Sequence, residues 1–196
     1  MDYNEKRKRQ SKRTEALILE TALRLMKEHG FDGVSIREIC REAGITTGAF
    51  YHHFTSKDVL LLACFAPLKG KLSGAWETYA NAEPMERIRQ MVIAYADYMS
   101  QEGDLLSKYY QYRLGQPNTS ASFDDEDYLR LALTQALLIL QQQGILSAGF
   151  AVDRTALFLH RHYRGIVVDW VLHNFEYSLR DCMLEAFDIL VALFAA

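Results

Sequence analysis

The sequence predicts an all-α protein, with a small N-terminal domain of three helices followed by a larger helical domain. Apolar residues recur with a period of 3.6 residues along almost the whole chain, which is the spacing of an amphipathic helix. Only 3 of the 196 residues are Pro. Helix caps and stop glycines cluster within the first sixty or so residues, where the predicted helices are too short to be stable alone.

The first helix is predicted over residues 13–28. Its apolar residues follow the spacing i, i+3, i+4, i+7, at Leu19, Ala22, Leu23 and Met26. Gly30 follows this helix and suits the left-handed position that ends many helices. The first thirteen residues hold six basic residues, which are expected to form a basic arm at the N-terminal end: Lys6, Arg7, Lys8, Arg9, Lys12 and Arg13.

Two short helices follow, and together they indicate a helix-turn-helix. Ser35 and Glu38 form a capping box at the start of a helix over residues 35–43, and Gly44 ends it. Either Thr46 or Thr47 can cap the next helix, which runs to residue 54. Two short helices joined by a tight turn that contains glycine are typical of a helix-turn-helix.

The second of these helices is expected to present a polar face to solvent. Its packing face holds Ala49, Phe50, His53 and Phe54. The opposite face holds Thr47, Gly48, Tyr51 and His52. A helix this short that exposes a Tyr and a His is predicted to face a specific partner.

Six more helices are predicted beyond residue 55, over residues 56–76, 85–100, 105–114, 125–143, 153–174 and 178–194. Ser56 caps the first of them, and Pro67 is expected to interrupt or kink it. The last two carry more apolar surface than a helical domain of this size hides easily. That surplus predicts a subunit interface on the last two helices.

The charge of the chain is unevenly distributed. The formal net charge is −3, which taken alone argues against a nucleic-acid partner. Residues 1–60, however, hold 11 basic and 9 acidic residues, a net charge of +2, whereas residues 61–196 carry −5. The basic arm and the short helices therefore have the charge that binds phosphates.

Several classes of protein are excluded by composition. No apolar run reaches the roughly 18 residues of a membrane span, and no secretory signal follows the basic N-terminus. Cys40, Cys64 and Cys182 form an odd and scattered set, which favours a reducing cytoplasm. No phosphate loop, dinucleotide fingerprint, nucleophile elbow or zinc motif is present, so we expect no enzyme, no cofactor and no metal site.

A resemblance to a known family is carried by residues 30–54, which read GFDGVSIREICREAGITTGAFYHHF, and by Ser56 and Lys57. This run resembles the DNA-binding domain of the tetracycline-repressor (TetR) family, and the resemblance covers roughly residues 10–60. It implies a helix-turn-helix DNA-binding domain over residues 1–57 and a helical effector-binding and dimerisation domain over residues 58–196.

The resemblance also implies a function. Members of the family are ligand-responsive regulators, mostly repressors, that bind a palindromic operator in double-stranded DNA as homodimers and release it when a small molecule binds. The implied DNA-binding residues are Ser35, Arg37, Thr46, Thr47, Gly48, Tyr51, His52 and Lys57. Thr47 stands where relatives carry Lys or Arg, which favours contact with thymine methyl groups at this position.

Aromatic residues are concentrated in the second predicted domain. They suggest a cavity with apolar walls and a few polar groups, and we expect an apolar or aromatic effector there. The candidate lining residues are Tyr95, Tyr98, Tyr109, Tyr110, Phe123, Tyr128, Tyr163 and Trp170.

Three alternatives stay open at this point. The protein could sense redox state through Cys64 or Cys182, or it could be a helical interaction protein that does not bind DNA. Asp169 could be the counter-ion of a cationic ligand, or it could pair with His173 one helical turn away.

Overall fold

The computed structural model describes residues 3–65, 74, 77–115 and 128–195. Within these ranges the chain forms eight α-helices and no strand. They are α1 Tyr3–His29, α2 Ile36–Glu42, α3 Thr47–His53, α4 Lys57–Cys64, α5 Pro84–Gly115, α6 Tyr128–Gln142, α7 Val152–Leu172 and α8 Leu179–Ala195. No helix in the described ranges has the length and apolar character needed to cross a bilayer.

The predicted caps of the short helices are confirmed. The Oγ of Ser35 accepts from the Glu38 amide at 3.1 Å, and Ser56 does the same for Val59 at 3.1 Å. Of the two candidate caps before α3, Thr46 is the one used, because its Oγ1 accepts from the Ala49 amide at 3.1 Å. Gly30, with a φ of +74°, takes the left-handed conformation expected after α1.

The basic arm expected before the first helix is itself helical, because α1 begins at Tyr3 rather than near residue 13. Residues 4–13 have no apolar stripe, so the hydrophobic period does not mark them. Their Lys, Arg, Gln and Glu are nevertheless good helix formers. They need no new nucleus because they extend a helix whose later turns are packed.

The expected break between residues 100 and 105 is absent, since α5 continues without interruption through Gly103. The buried positions stay in phase across this glycine, at Met91, Tyr95, Tyr98, Glu102 and Leu105. An uninterrupted packing face outweighs the roughly 1 kcal/mol that a glycine costs inside a helix.

The helix predicted over residues 56–76 begins as expected but ends early, since α4 stops at Cys64 with Phe65 as its C-cap. The remaining helices lie close to their predicted positions. α7 ends at Leu172 rather than 174, because Asn174 and Phe175 have φ values of +50° and +64°. Pro67, where a kink was predicted, and the first residues of the helix predicted from 125 lie outside the described residues.

The chain forms two compact units. The first comprises residues 1–66 and 104–116, and the second comprises residues 67–103 and 117–196. This division differs from the single boundary at residue 57 that the sequence predicts. The physical reason is the core of the first unit, which includes Leu60, Leu61 and Cys64 of α4 and Leu105 of α5.

Contacts between its own helices stabilise the second unit. The indole Nε1 of Trp170 donates to the carbonyl of Tyr177 at 2.8 Å, and the Trp170 ring packs edge-on against Phe175. Arg180 of α8 forms an ion pair with Asp97 of α5. These contacts fix the turn between α7 and α8 and the start of α8.

Lys57 fixes the loop that leads into the helix-turn-helix. Its Nζ donates to the carbonyls of Phe31 at 2.7 Å and Val34 at 2.8 Å, and it lies 4.2 Å from the centroid of the Phe31 ring. A cation over an aromatic face adds to the two hydrogen bonds. Lys108 holds the same loop through Asp32, with 2.6 Å between Nζ and Oδ2.

We expect Lys57→Met to lower the free energy of unfolding by about 1–3 kcal/mol, because two carbonyls lose a charged donor. Urea unfolding followed by circular dichroism measures the change. Lys12→Met, on the exposed side of α1, should change stability by no more than about 0.5 kcal/mol. Equal stability of the two variants would contradict the role of Lys57 in the loop.

Candidate DNA-binding face and apolar cavity

The polar face of α3 is exposed as the sequence predicts. Thr47, Gly48 and His52 are exposed, and 55% of the Tyr51 side chain is open to solvent. Phe50 and Phe54 are buried on the other side, with 0% and 4% exposure. The Tyr51 ring packs edge-on against Phe50 with 5.4 Å between the ring centroids, and its exposed side leaves this face of α3 available to a ligand.

Ser35, Arg37 and Thr46 extend this exposed surface, and all three are open to solvent. The Ser35 and Thr46 hydroxyls accept hydrogen bonds from the backbone as helix caps. A hydroxyl can donate one hydrogen bond while it accepts others, so each cap keeps a donor for a phosphate. The guanidinium of Arg37 adds a positive charge near the start of α2.

Lys57 is the predicted DNA-binding residue that differs from the rest. It is half-buried, and two of its three N–H donors bind the carbonyls of Phe31 and Val34. The structure therefore gives it an internal contact that the sequence did not suggest. Its contact with a DNA phosphate stays a prediction and would use the remaining donor.

An open cleft of about 380 Å³ lies between the N-terminal turns of α1 and the end of α3. We call it the α1–α3 cleft, and it is lined by Lys6, Arg7, Gln10, Ser11, Thr14, His52 and His53. His53, which the sequence predicted to pack, is half-buried here. The spacing 7, 10, 14 puts the α1 residues on one helical face, but this face could not be recognised while the helix was expected to begin near residue 13.

An apolar cavity of about 140 Å³ lies within the second unit. It is lined by Met85, Ile88, Leu133, Leu137, Leu140, Ile145, Leu146, Leu159, Tyr163, Phe187, Leu190 and Val191. Among these side chains, the Tyr163 hydroxyl is the single group with oxygen or nitrogen. Burial, together with the carboxylate of Asp188, raises the pKa of Tyr163, so the hydroxyl is neutral.

Eight aromatic residues were predicted to line an effector site. Among those of the eight that the structure describes, Tyr163 alone lines this cavity. Tyr109 and Tyr110 belong to the first unit, where they pack edge-on against each other. Tyr95 and Tyr98 are buried on α5, and Trp170 binds Tyr177 as described above. Phe123 lies outside the described residues, as does the side chain of Tyr128.

The aliphatic walls of the cavity could not be recognised in the sequence. Leu133, Leu137 and Leu140 have the spacing i, i+4, i+7, which is also the spacing of an ordinary packed helix. Nothing in that pattern separates a residue that lines a cavity from one that fills a core. The sequence prediction chose aromatic residues as the lining because tyrosine and tryptophan combine an apolar ring with a polar atom, which is typical of binding sites.

Asp169 has local partners. Its Oδ2 accepts from the Tyr177 hydroxyl at 2.8 Å and lies 3.4 Å from Nδ1 of His173, the residue predicted as its i, i+4 partner. Burial and the hydrogen bond to Asp169 raise the pKa of Tyr177, which keeps the hydroxyl protonated as a donor. These contacts favour the structural role of Asp169 over that of a counter-ion.

The cysteine side chains of the described residues are buried or half-buried. Cys64 is 3% exposed, and burial raises the pKa of the half-buried Cys182. A redox sensor needs an accessible thiol with a low pKa. Within the described residues, no cluster of three or more His, Cys, Asp or Glu side chains could hold a metal ion.

Comparison with known proteins finds a family match within the first unit. The family model described as "Bacterial regulatory proteins, tetR family" matches residues 18–64. The chain is 48% identical over 52 residues to the uncharacterized regulator YuxN and 37% identical over 79 residues to YerO, both from Bacillus subtilis. These matches cover 26% and 38% of this chain, and they span 18% and 27% of the relatives' lengths.

Longer similarities are weaker in sequence. A probable acrEF/envCD operon repressor of Escherichia coli is 22% identical over 181 residues, which is 88% of this chain and 82% of the repressor. The crystal structure of FadR from Thermus thermophilus in complex with lauroyl-CoA has a TM-score of 0.74 at 23% identity, and covers 90% of this chain and 93% of its own. FadR of Bacillus subtilis in complex with stearoyl-CoA has a TM-score of 0.63 at 21% identity, with coverage of 90% and 97%. At these identities the solved structures show a shared fold.

The helix-turn-helix with its exposed α3 therefore lies within the segment that matches the family model of tetR-type bacterial regulatory proteins, and the chain shares the all-helical fold of the solved structures.

Proposed function

We propose that this protein is a cytoplasmic transcriptional repressor that binds a palindromic operator as a homodimer and releases it when an apolar effector binds. The exposed face of α3, with Thr47, Gly48, Tyr51 and His52, carries this proposal. In a helix-turn-helix the second helix enters the major groove and the first crosses the backbone. α3 and α2 would take these two positions.

The contacts divide into two kinds. Tyr51 and Thr47 would reach base edges, Tyr51 through its hydroxyl and Thr47 through its methyl group. Ser35, Arg37 and Thr46 would bind phosphates and fix the register of the protein on the duplex. Lys57 would add a phosphate contact while it holds the loop before α2.

The effector is proposed to present an aliphatic group to the cavity of the second unit. The walls are almost wholly aliphatic, so they favour an alkyl chain over a polar ligand. A cavity of about 140 Å³ is close to the roughly 150 Å³ that accommodates one benzene molecule. It would hold about six carbons, and a longer chain would extend beyond it. The FadR structures with lauroyl-CoA and stearoyl-CoA make a fatty acyl thioester the first compound to test.

The dimer is proposed to form through the outer faces of α7 and α8. Phe158 of α7 is 60% exposed and stacks on His162, while Ile189 of α8 is 55% exposed. Around Phe158 the exposed charges are basic, at Arg154 and Arg161.

Three exposed charges of α8 are acidic, at Asp181, Glu185 and Asp188, whereas its Arg180 is paired with Asp97 of the same unit. In a two-fold symmetric interface each copy presents both helices, so α7 of one copy can pair with α8 of the other. The two faces are complementary in charge, and each carries an apolar centre. A second copy of this chain is therefore the partner that fits.

We expect Tyr51→Ala to weaken binding to operator DNA at least tenfold, because a base contact is worth about 1–3 kcal/mol. An electrophoretic mobility shift on the promoter region beside the gene measures the effect. Tyr79→Ala, at a Tyr of the second unit that is 37% exposed, is the matched control and should bind as the wild type does. A normal shift with Tyr51→Ala would argue against α3 as the recognition helix.

Leu137→Phe should reduce the affinity for lauroyl-CoA about tenfold or more by filling the cavity, since added volume in a packed site typically costs 1–3 kcal/mol. Titration calorimetry measures it, with free CoA as the ligand control. Leu138→Phe adds the same volume one residue along α6, at a position that is 42% exposed. If both variants bind lauroyl-CoA equally, the cavity is not the effector site.

Phe158→Glu should weaken the dimer at least tenfold, because it removes the apolar centre of the interface and adds an acid opposite the acidic face of α8 in the other copy. Sedimentation velocity over a dilution series measures the dissociation constant. Leu114→Glu alters an apolar residue of the first unit that is 74% exposed, and it should leave the dimer intact. A Phe158→Glu protein with the wild-type dissociation constant would place the interface elsewhere.

A further inference from the structure

We propose that the α1–α3 cleft is a pH-dependent phosphate-binding site. It binds the DNA backbone beside the major groove contacted by α3. The inference rests on the proposed DNA-binding function and adds a site outside the helix-turn-helix. It makes the N-terminal turns of α1 part of the recognition surface and gives His53 a role in binding.

The composition of the cleft suits an anion. Lys6 and Arg7 supply two positive charges, and Gln10 and Ser11 supply neutral donors. No carboxylate is among the residues that line the cleft. Cations and hydrogen-bond donors without an opposing acid are the pattern of a phosphate contact.

The position of the cleft makes the DNA backbone the natural ligand. His52 and His53 are the last two residues of α3, so the cleft begins where the exposed face of that helix ends. The sugar-phosphate backbones border the major groove on both sides. When α3 lies in the groove, a backbone strand passes at the end of the helix, where the cleft opens.

Two histidines in this cleft make binding sensitive to pH. Their rings lie 5.3 Å apart at an angle of 79°. The charged groups that line the cleft with them are Lys6 and Arg7 of α1. A bound phosphate is an anion, and an anion beside a histidine favours the protonated ring. Because the ligand favours the protonated form, protonation must favour the ligand, and DNA affinity should rise as the pH falls.

The number of phosphates neutralised is measured by the salt dependence of binding. The probe is a duplex selected by the wild-type protein from a random-sequence pool, at several salt concentrations. Lys6→Ala/Arg7→Ala should reduce the slope of log K against log[salt] by roughly 2, close to 0.9 for each lost phosphate contact. All these side chains are exposed, so the fold is retained and circular dichroism confirms it.

Lys8→Ala/Arg9→Ala is the matched control, because it removes the same charge from the same turns of α1 outside the cleft lining. It should change the slope by less than half as much. Equal slopes for the two double variants would show that only the net charge of α1 matters. That result would overturn the assignment of the cleft as a phosphate-binding site. If the wild-type protein selects no duplex at all, the proposed DNA-binding function fails instead.

The pH dependence has its own comparison. Between about pH 8 and about pH 6, the range in which histidine gains its charge, the wild-type affinity should rise at least threefold at fixed salt. His52→Gln/His53→Gln should lose this rise, whereas His29→Gln, at the end of α1 beside Glu28, should keep it. A rise that survives in the double variant would overturn the assignment of the histidines.

Discussion

The helix-turn-helix depends on one half-buried polar contact, between the ammonium of Lys57 and the loop of residues 30–34. This loop turns the chain from α1 into α2, so its conformation sets the direction in which the helix-turn-helix leaves α1. Its carbonyls at Phe31 and Val34 have a charged donor at 2.7 and 2.8 Å. Hydrogen bonds to a charged group contribute about 1.5–3 kcal/mol each, more than neutral ones. Gly33 adds a steric requirement, since a Cβ there would lie 2.3 Å from the carbonyl oxygen of His29.

The same lysine shows what a family resemblance transfers and what it leaves open. The motif implies the residue type and its place at the start of α4, and the structure has both. The contacts of the ammonium depend on the neighbouring loop, whose carbonyls the motif does not describe. A lysine can serve both purposes because it has three donors in a tetrahedral arrangement. The loop and a phosphate could thus share one cation, and DNA would then bind to a residue that already orders the first turn of the helix-turn-helix.

The starts of the short helices could be predicted almost to the residue because they depend on local chemistry, whereas α4 ends at Cys64, well before the predicted end near residue 76. Ser35, Thr46 and Ser56 cap through hydrogen bonds that span three residues, and such bonds are legible in the sequence. The first ten residues of α1 and the passage of α5 through Gly103 depend instead on helix propensity and on distant packing. The cavity was missed for a third reason. Its aliphatic walls obey the same period as a filled core, and only the three-dimensional arrangement of four helices leaves space between them.

The net charge of −3 does not oppose DNA binding, because electrostatic interactions in solution act over a limited range. At physiological salt the Debye length is about 8 Å, so a phosphate in the α1–α3 cleft responds to the side chains around it. Those side chains include Lys6 and Arg7 and no carboxylate. The acidic residues of α8 form a face of their own, at Asp181, Glu185 and Asp188. In the proposed dimer, this acidic face would complement the basic residues on α7 of a second copy. One chain can therefore be acidic as a whole and still carry a basic surface, because the acidic and basic residues lie on different surfaces and a bound group responds mainly to the charges near it.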